Sequence, residues 1–172
     1  MTDEAHQHLA TDVRHAPRHV HIGDLPGYAG RHLGYSPWHD ILQEDVTRYA
    51  RLTGDEQWIH VDPQRAASGR FGATVSHGFF TLARFTGLLR EILVVDGVET
   101  ILNYGVNRVR FPAPARVGGR LRMGLGVNAV ERLQDSVGES VQVLYGATFE
   151  VEGQDKPVCV AEVVFRYYPS GA

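Results

Sequence analysis

From residue 120 onward, apolar side chains fall at every second position. Val141, Val143, Tyr145, Ala147, Phe149 and Val151 alternate with Gln142, Leu144, Gly146, Thr148 and Glu150, the period of a strand with one face on a core. Leu121, Met123, Leu125 and Val127 alternate in the same way with Arg120, Arg122, Gly124 and Gly126. Further strands are predicted over 99–111 and 157–167. The breaks at 112–119, 134–138 and 153–156 are short and turn-like, so the strands should be antiparallel neighbours. Upstream the period becomes helical. Phe79, Phe80, Leu82, Ala83, Phe85, Leu88, Leu89, Ile92 and Leu93 spread apolar surface around most of a helix over 79–93, which marks it as buried. Ser76 is placed as its N-cap and Arg90 near its end.

Two shorter helices precede it. Over Gln43–Thr53 the residues Val46, Tyr49, Ala50 and Leu52 form one stripe, Glu44 and Asp45 suit the first turn, and Gly54 is a natural stop. Pro63 at a first helical position, with Asp62 as N-cap, predicts a helix over 63–68. A buried helix followed by long antiparallel strands gives an α+β fold whose sheet curls around the helix. Such a sheet leaves an open edge or face that a second copy covers most simply, so a homodimer is expected. Residues 1–20 are polar and unpatterned and read as a flexible leader, with the folded domain over 21–172.

Composition narrows the function classes. At 172 residues the chain matches one domain of ordinary size, with 43% hydrophobic and 22% charged residues. Seventeen basic against 20 acidic residues, net −3, give no electrostatic footprint for nucleic acid and no pull toward an anionic membrane. No apolar run approaches a membrane span and no secretory signal opens the chain, so a cytoplasmic location is expected. The single cysteine, Cys159, excludes an internal disulfide or a CxxC site and reads as a small buried apolar residue. Seven of the nine histidines (His6, His8, His15, His19, His21, His32 and His39) lie in the leader or soon after it. A metal pair at His19 and His21 is outweighed by a solvated tail, because no carboxylate or cysteine stands at ligand spacing.

Candidate chemistry sits between the helices. The run GDEQWIHVDP holds Asp55 and His60, which on a continuous helix would point roughly 140° apart. They converge only if the segment is a loop, as Gly54 and Pro63 suggest, and then form a general acid/base pair. FGATVSHG follows, placing Gly78 at the start of the buried helix. Unpaired N–H groups there, with no Cβ in the way, suit an oxyanion; equally, glycine there makes room for close helix–sheet packing.

GDEQWIHVDP, FGATVSHGFFTL and NYGVNRVRFPAPARVGG together resemble the MaoC-like dehydratases, or hydratase 2 group, over residues 34–165. The Gln-Trp-Ile-His spelling is most similar to the branch related to nodulation protein N. The resemblance implies a hot-dog fold and an (R)-specific enoyl-CoA hydratase or 3-hydroxyacyl-thioester dehydratase. Asp55 and His60 would be catalytic, and the Gly78 N–H would hold the thioester oxygen. Gln57, where the family usually has Asn, and Trp58, which replaces a usual Pro, would position substrate, as would Ser76. The implied partner is an acyl-CoA or acyl-carrier-protein thioester, with no metal and no cofactor. His77 reads as structural, Asp62 as a cap, and Arg108, Arg110 and Arg122 as a solvated face. Two alternatives remain. One is a hot-dog thioesterase, for which the long helix offers only Glu91; the other is a non-catalytic acyl-thioester-binding protein, which the departures at Gln57 and Trp58 favour.

Overall fold

The computed structural model of the protein describes residues 16–136 and 138–171. In chain order it contains β1 (Arg18–His21), a 3-10 turn (Ile22–Tyr28), β2 (Arg31–Tyr35), β3 (His39–Asp40), α1 (Gln43–Thr53), α2 (Trp58–Val61), α3 (Pro63–Ala67), α4 (Gly78–Ala83) and α5 (Phe85–Ile92). Then come β4 (Leu93–Asp96), β5 (Val98–Arg110), β6 (Arg120–Asp135), β7 (Gly138–Val151) and β8 (Cys159–Pro169). The main sheet runs β2-β6-β7-β8-β5, and β3 also pairs with β6. Every pairing in it is antiparallel, as the alternating pattern and short breaks require.

The alternation places Val143, Tyr145, Phe149, Phe165 and Tyr167 on the inner face, where each is almost fully buried. The helix lies against that face. Phe85, Leu88, Leu89 and Ile92 join the same core, and the Phe85 ring meets Phe165 edge-on at 5.3 Å and Tyr145 at 6.0 Å. Cys159 is buried as expected, and burial pushes its thiol up to about 12. The Tyr145 and Tyr167 hydroxyls bond each other at 2.7 Å inside this apolar layer. Burial drives the pKa of both upward, that of Tyr167 to about 12. Tyr145→Phe leaves the Tyr167 hydroxyl buried without its partner, so it should cost about 1–3 kcal/mol, read as a fall in thermal midpoint. An unchanged midpoint would mean the pair contributes nothing.

Three sequence expectations change. The helix expected over 79–93 is two segments, because Arg84 (φ −69°, ψ −10°) shares its N–H between the Phe80 and Thr81 carbonyls at 3.3 Å, a tightened turn between α4 and α5. Leu93 has already turned extended (φ −139°, ψ 127°) and opens β4. Ser76 is not the N-cap. Its backbone N–H is held by the Ala115 carbonyl at 2.7 Å, so the helix starts two residues later and His77 takes the cap position. Finally, Arg18–Val20 of the expected leader belong to β1, which pairs in parallel with β4 and buries Val20 in the core; residues 1–15 lie outside those described. His19 and His21 go separate ways, the first to Asp96 at 3.1 Å and the second to the Gly23 N–H.

Candidate active site

Gly54 ends α1 in the left-handed conformation (φ 76°), a turn that glycine makes without strain. The chain then passes through Asp55 to α2. His60 therefore sits on a one-turn helix rather than in the loop expected from sequence, while Asp55 stays in the loop. Asp62 caps α3 as predicted, accepting from the Arg65 N–H at 3.0 Å. Two partners fix α2. The Gln43 amide donates to the His60 carbonyl at 2.7 Å and accepts from the Thr74 hydroxyl. The Val75 N–H bonds the Ile59 carbonyl at 3.0 Å. On their other side Thr74 and Ser76 are pinned to Val117 and Ala115, so the segment 74–76 links the helical layer to the 112–119 turn.

His60 is 7% exposed, and its Nδ1–H donates to the Val75 carbonyl at 2.7 Å. That bond fixes the tautomer and leaves the lone pair on Nε2. Burial lowers the His60 pKa from its ordinary value; the Val75 carbonyl opposes this, His77 adds to it, and Asp55 opposes it weakly. His77, also buried, stacks on His60 with ring centroids 3.7 Å apart and planes 22° off parallel. Its Nε2–H donates to the Asp55 backbone carbonyl at 2.9 Å and lies 3.9 Å from the Asp55 carboxylate. His77 Nδ1 is buried without a hydrogen-bond partner among the described residues. Asp55 itself is 58% exposed.

Asp55, His60 and His77 each offer an atom within 4.8 Å of the others. Nearly parallel ring planes keep the in-plane lone pairs of the two histidines in separate layers, however, whereas the ligands of one metal ion must converge on it. The arrangement suits proton handling better: a buried neutral imidazole beside an exposed carboxylate, with no direct hydrogen bond between the two side chains. His77 is thus a member of the cluster that sequence reasoning set aside as structural. Tyr49 and Gln43 were missed. Tyr49 stacks on Phe80 (4.9 Å) and meets the His77 ring at a tilt of 56° (5.0 Å).

Gly78 follows His77 directly and opens α4, and no side chain caps that turn. A Cβ on Gly78 would stand 2.9 Å from the Phe111 ring, so close packing alone already demands glycine here. Gly78, Ser76, Thr81 and Phe111 line a cavity of about 270 Å³. Gln57 and Trp58 face a different cavity, of about 250 Å³, with Phe71 on the rim of both. Trp58 packs against Gly69 and under the Arg65 guanidinium at 4.3 Å. Ser76 is therefore brought to the Gly78 cavity, whereas Gln57 and Trp58 line the neighbouring one. Arg122, expected to be solvated, is sandwiched between the Tyr35 and Trp38 rings and bonded to Glu150.

The MaoC like domain model matches residues 25–148. The chain belongs to the MaoC-like family. Within this family it is 49% identical, over 85% of its length and 95% of the relative's, to 3-hydroxyacyl-thioester dehydratase Z of Mycobacterium tuberculosis. It is 34% identical, over 81% of its length and 86% of the relative's, to nodulation protein N of Rhizobium leguminosarum bv. viciae. The hot-dog architecture of the MaoC-like proteins is the one seen here: the chain superposes on the (R)-hydratase from A. caviae involved in PHA biosynthesis with a TM-score of 0.62 and 21% identity, covering 79% of this chain and 96% of that one.

Proposed function

We propose that this MaoC-like protein is a hydro-lyase that adds water to trans-2-enoyl thioesters to give (R)-3-hydroxyacyl thioesters, or removes it. The observation that carries this reading is the buried His60 with Nε2 free, set beside the exposed Asp55 carboxylate. The 49% identity to a 3-hydroxyacyl-thioester dehydratase supports it.

Hydration needs a water deprotonated as its oxygen bonds C3, a proton delivered to C2, and stabilisation of the charge that builds on the thioester oxygen. In the proposed mechanism Asp55 and His60 hold that water between them and share both proton transfers. His60 Nε2 is the basic atom because Nδ1 is committed to Val75. The Gly78 N–H, one residue beyond the stacked His77, stabilises the enolate-like oxygen; such a donor typically contributes a few kcal/mol. The rest of the substrate is its own handle, a CoA or carrier-protein thioester. Incubation with crotonyl-CoA and longer trans-2-enoyl-CoAs should remove the conjugated-enoyl absorbance. An unchanged spectrum at every chain length overturns the reading and leaves an acyl-thioester-binding protein. A thioesterase is disfavoured because Glu91, the carboxylate on α5, is bonded to His39 at 2.7 Å.

The direction of the His60 shift sets the pH dependence. A neutral imidazole is the active base and burial disfavours its protonated form, so kcat/KM should hold as pH falls through the usual histidine range near 6.5. The acid limb should appear below that value. A limb above it would mean that another group limits activity.

The dimer is also a proposal. β5 ends the sheet, pairs among the described residues only with β8, and exposes Ile101, Leu102, Tyr104 and Val106. A long apolar edge of this kind pairs readily with another strand. Light scattering should give twice 19.1 kDa; a monomer at assay concentration contradicts this.

A further inference from the structure

His60 rides on a single helical turn. α2 is four residues long, too short to hold its shape unaided. The last carbonyls of a helix need donors from outside it, and Pro63, three positions beyond His60, has no N–H to give. The His60 carbonyl finds its donor far back in the chain, in Gln43 Nε2 at 2.7 Å. The second N–H of that amide goes to the Thr47 hydroxyl at 3.2 Å, and its oxygen accepts from the buried Thr74 hydroxyl. A carbonyl can only accept, so the amide has one productive orientation, and the Thr74 hydroxyl selects it by donating to the other end.

The frame behind the amide is braced as well. Two residues before Gln43, the Ile41 N–H bonds the Gly119 carbonyl and the Ile41 carbonyl accepts from the Gly118 N–H, both at 2.9 Å. The same turn holds the Thr74 carbonyl through the Val117 N–H at 2.9 Å. Val75, next along, takes the Nδ1–H of the His60 ring. The main chain of His60 is thus tied to one segment and its ring to another, and the 112–119 turn fixes both.

We infer that Gln43, oriented by Thr74, is a positioning residue that aims His60 so that Nε2 meets the water held with Asp55. The inference rests on the proposed hydratase reading for what His60 does. Gln43 acts through the His60 main chain, so its loss lets the turn drift while Asp55 stays in place. A misplacement of about 1 Å costs roughly 10²-fold in rate. The loss should therefore fall on kcat and spare KM.

Gln43→Glu keeps the side-chain length and the acceptor for Thr74 but sets an oxygen against the His60 carbonyl. Gln43→Met removes both bonds and adds no charge. Thr74→Val lets the amide turn, and Thr74→Ser keeps the hydroxyl. Rates with trans-2-enoyl-CoAs are measured at about pH 8.5, where imidazole is neutral, alongside thermal midpoints and nitrogen NMR of the His60 ring. In both Gln43 variants kcat of the folded protein should fall about 10–100-fold with KM nearly unchanged. The His60 signals should change from the Nδ1–H form to a mixture of tautomers, because the bond to Val75 needs the turn in place. Thr74→Val should lose less, and Thr74→Ser should recover that loss. Folded Gln43 variants with kcat within about twofold of wild type would make the bond purely structural and overturn the inference, as would a loss carried by KM alone. If the wild-type protein converts no enoyl-CoA, the hydratase reading fails and the tautomer decides. A mixture in Gln43→Glu then upholds the positioning, and an unchanged Nδ1–H form overturns it.

Discussion

His60→Ala should lower kcat for enoyl-CoA hydration by about 10²–10⁴-fold, the usual contribution of a positioned acid/base group, and Asp55→Asn should do so on a comparable scale. The two losses should not add, because both side chains act on one water and one pair of proton transfers. His60→Ala also leaves the Val75 carbonyl without its side-chain donor, so its thermal midpoint must be read alongside the rate. Asp55→Asn is the cleaner variant: Asp55 is exposed and its bond to His77 is made by the backbone. A folded Asp55→Asn protein with full activity would remove the carboxylate from the mechanism.

The largest stability effect is expected at Phe85. Its ring joins α5 to the inner face of the sheet through Phe165 and Tyr145, and it is 3% exposed. Phe85→Ala leaves a cavity at the centre of that contact and should cost about 3–5 kcal/mol, a large share of the 5–15 kcal/mol that typically holds a domain together. Denaturant titration gives the value directly. A cost below about 1 kcal/mol would show that the sheet does not depend on this ring for its grip on the helix.

What could be read from sequence, and what could not, divides by the range of the interaction. β5 to β8 of the main sheet were legible because alternation is local, and α1 and α3 because Gly54, Asp62 and Pro63 act on their immediate neighbours; β2 and β3, short strands that join the sheet through β6, were not read. The parallel pairing of β1 with β4 joins residues some 75 positions apart, and nothing in RHVH marks it. The interruption at Arg84 falls inside one continuous apolar periodicity, and the poorest helix former of the run, Gly87, lies three residues beyond it, so the sequence does not mark the break. In the site, Asp55 and His60 were visible as a motif. His77 entered the cluster through a stack and a hydrogen bond that cross 17 and 22 residues. Gln43 holds His60 and Thr74 across 17 and 31, and only folded geometry shows that one amide serves both.

Gly78 was legible as a position and less so as a role. The requirement for glycine is set by the Phe111 ring, so the sequence signal alone does not separate packing from oxyanion binding. The central claim is therefore best tested on the product. The protein is incubated with a mixture of a trans-2-enoyl-CoA and the saturated acyl-CoA of the same length, and the thioesters are analysed by chiral chromatography with mass detection. The account predicts that the enoyl species alone is converted, to an (R)-3-hydroxyacyl-CoA one water heavier and still joined to CoA. Release of free CoA from the saturated thioester, or recovery of both thioesters unchanged, would contradict it.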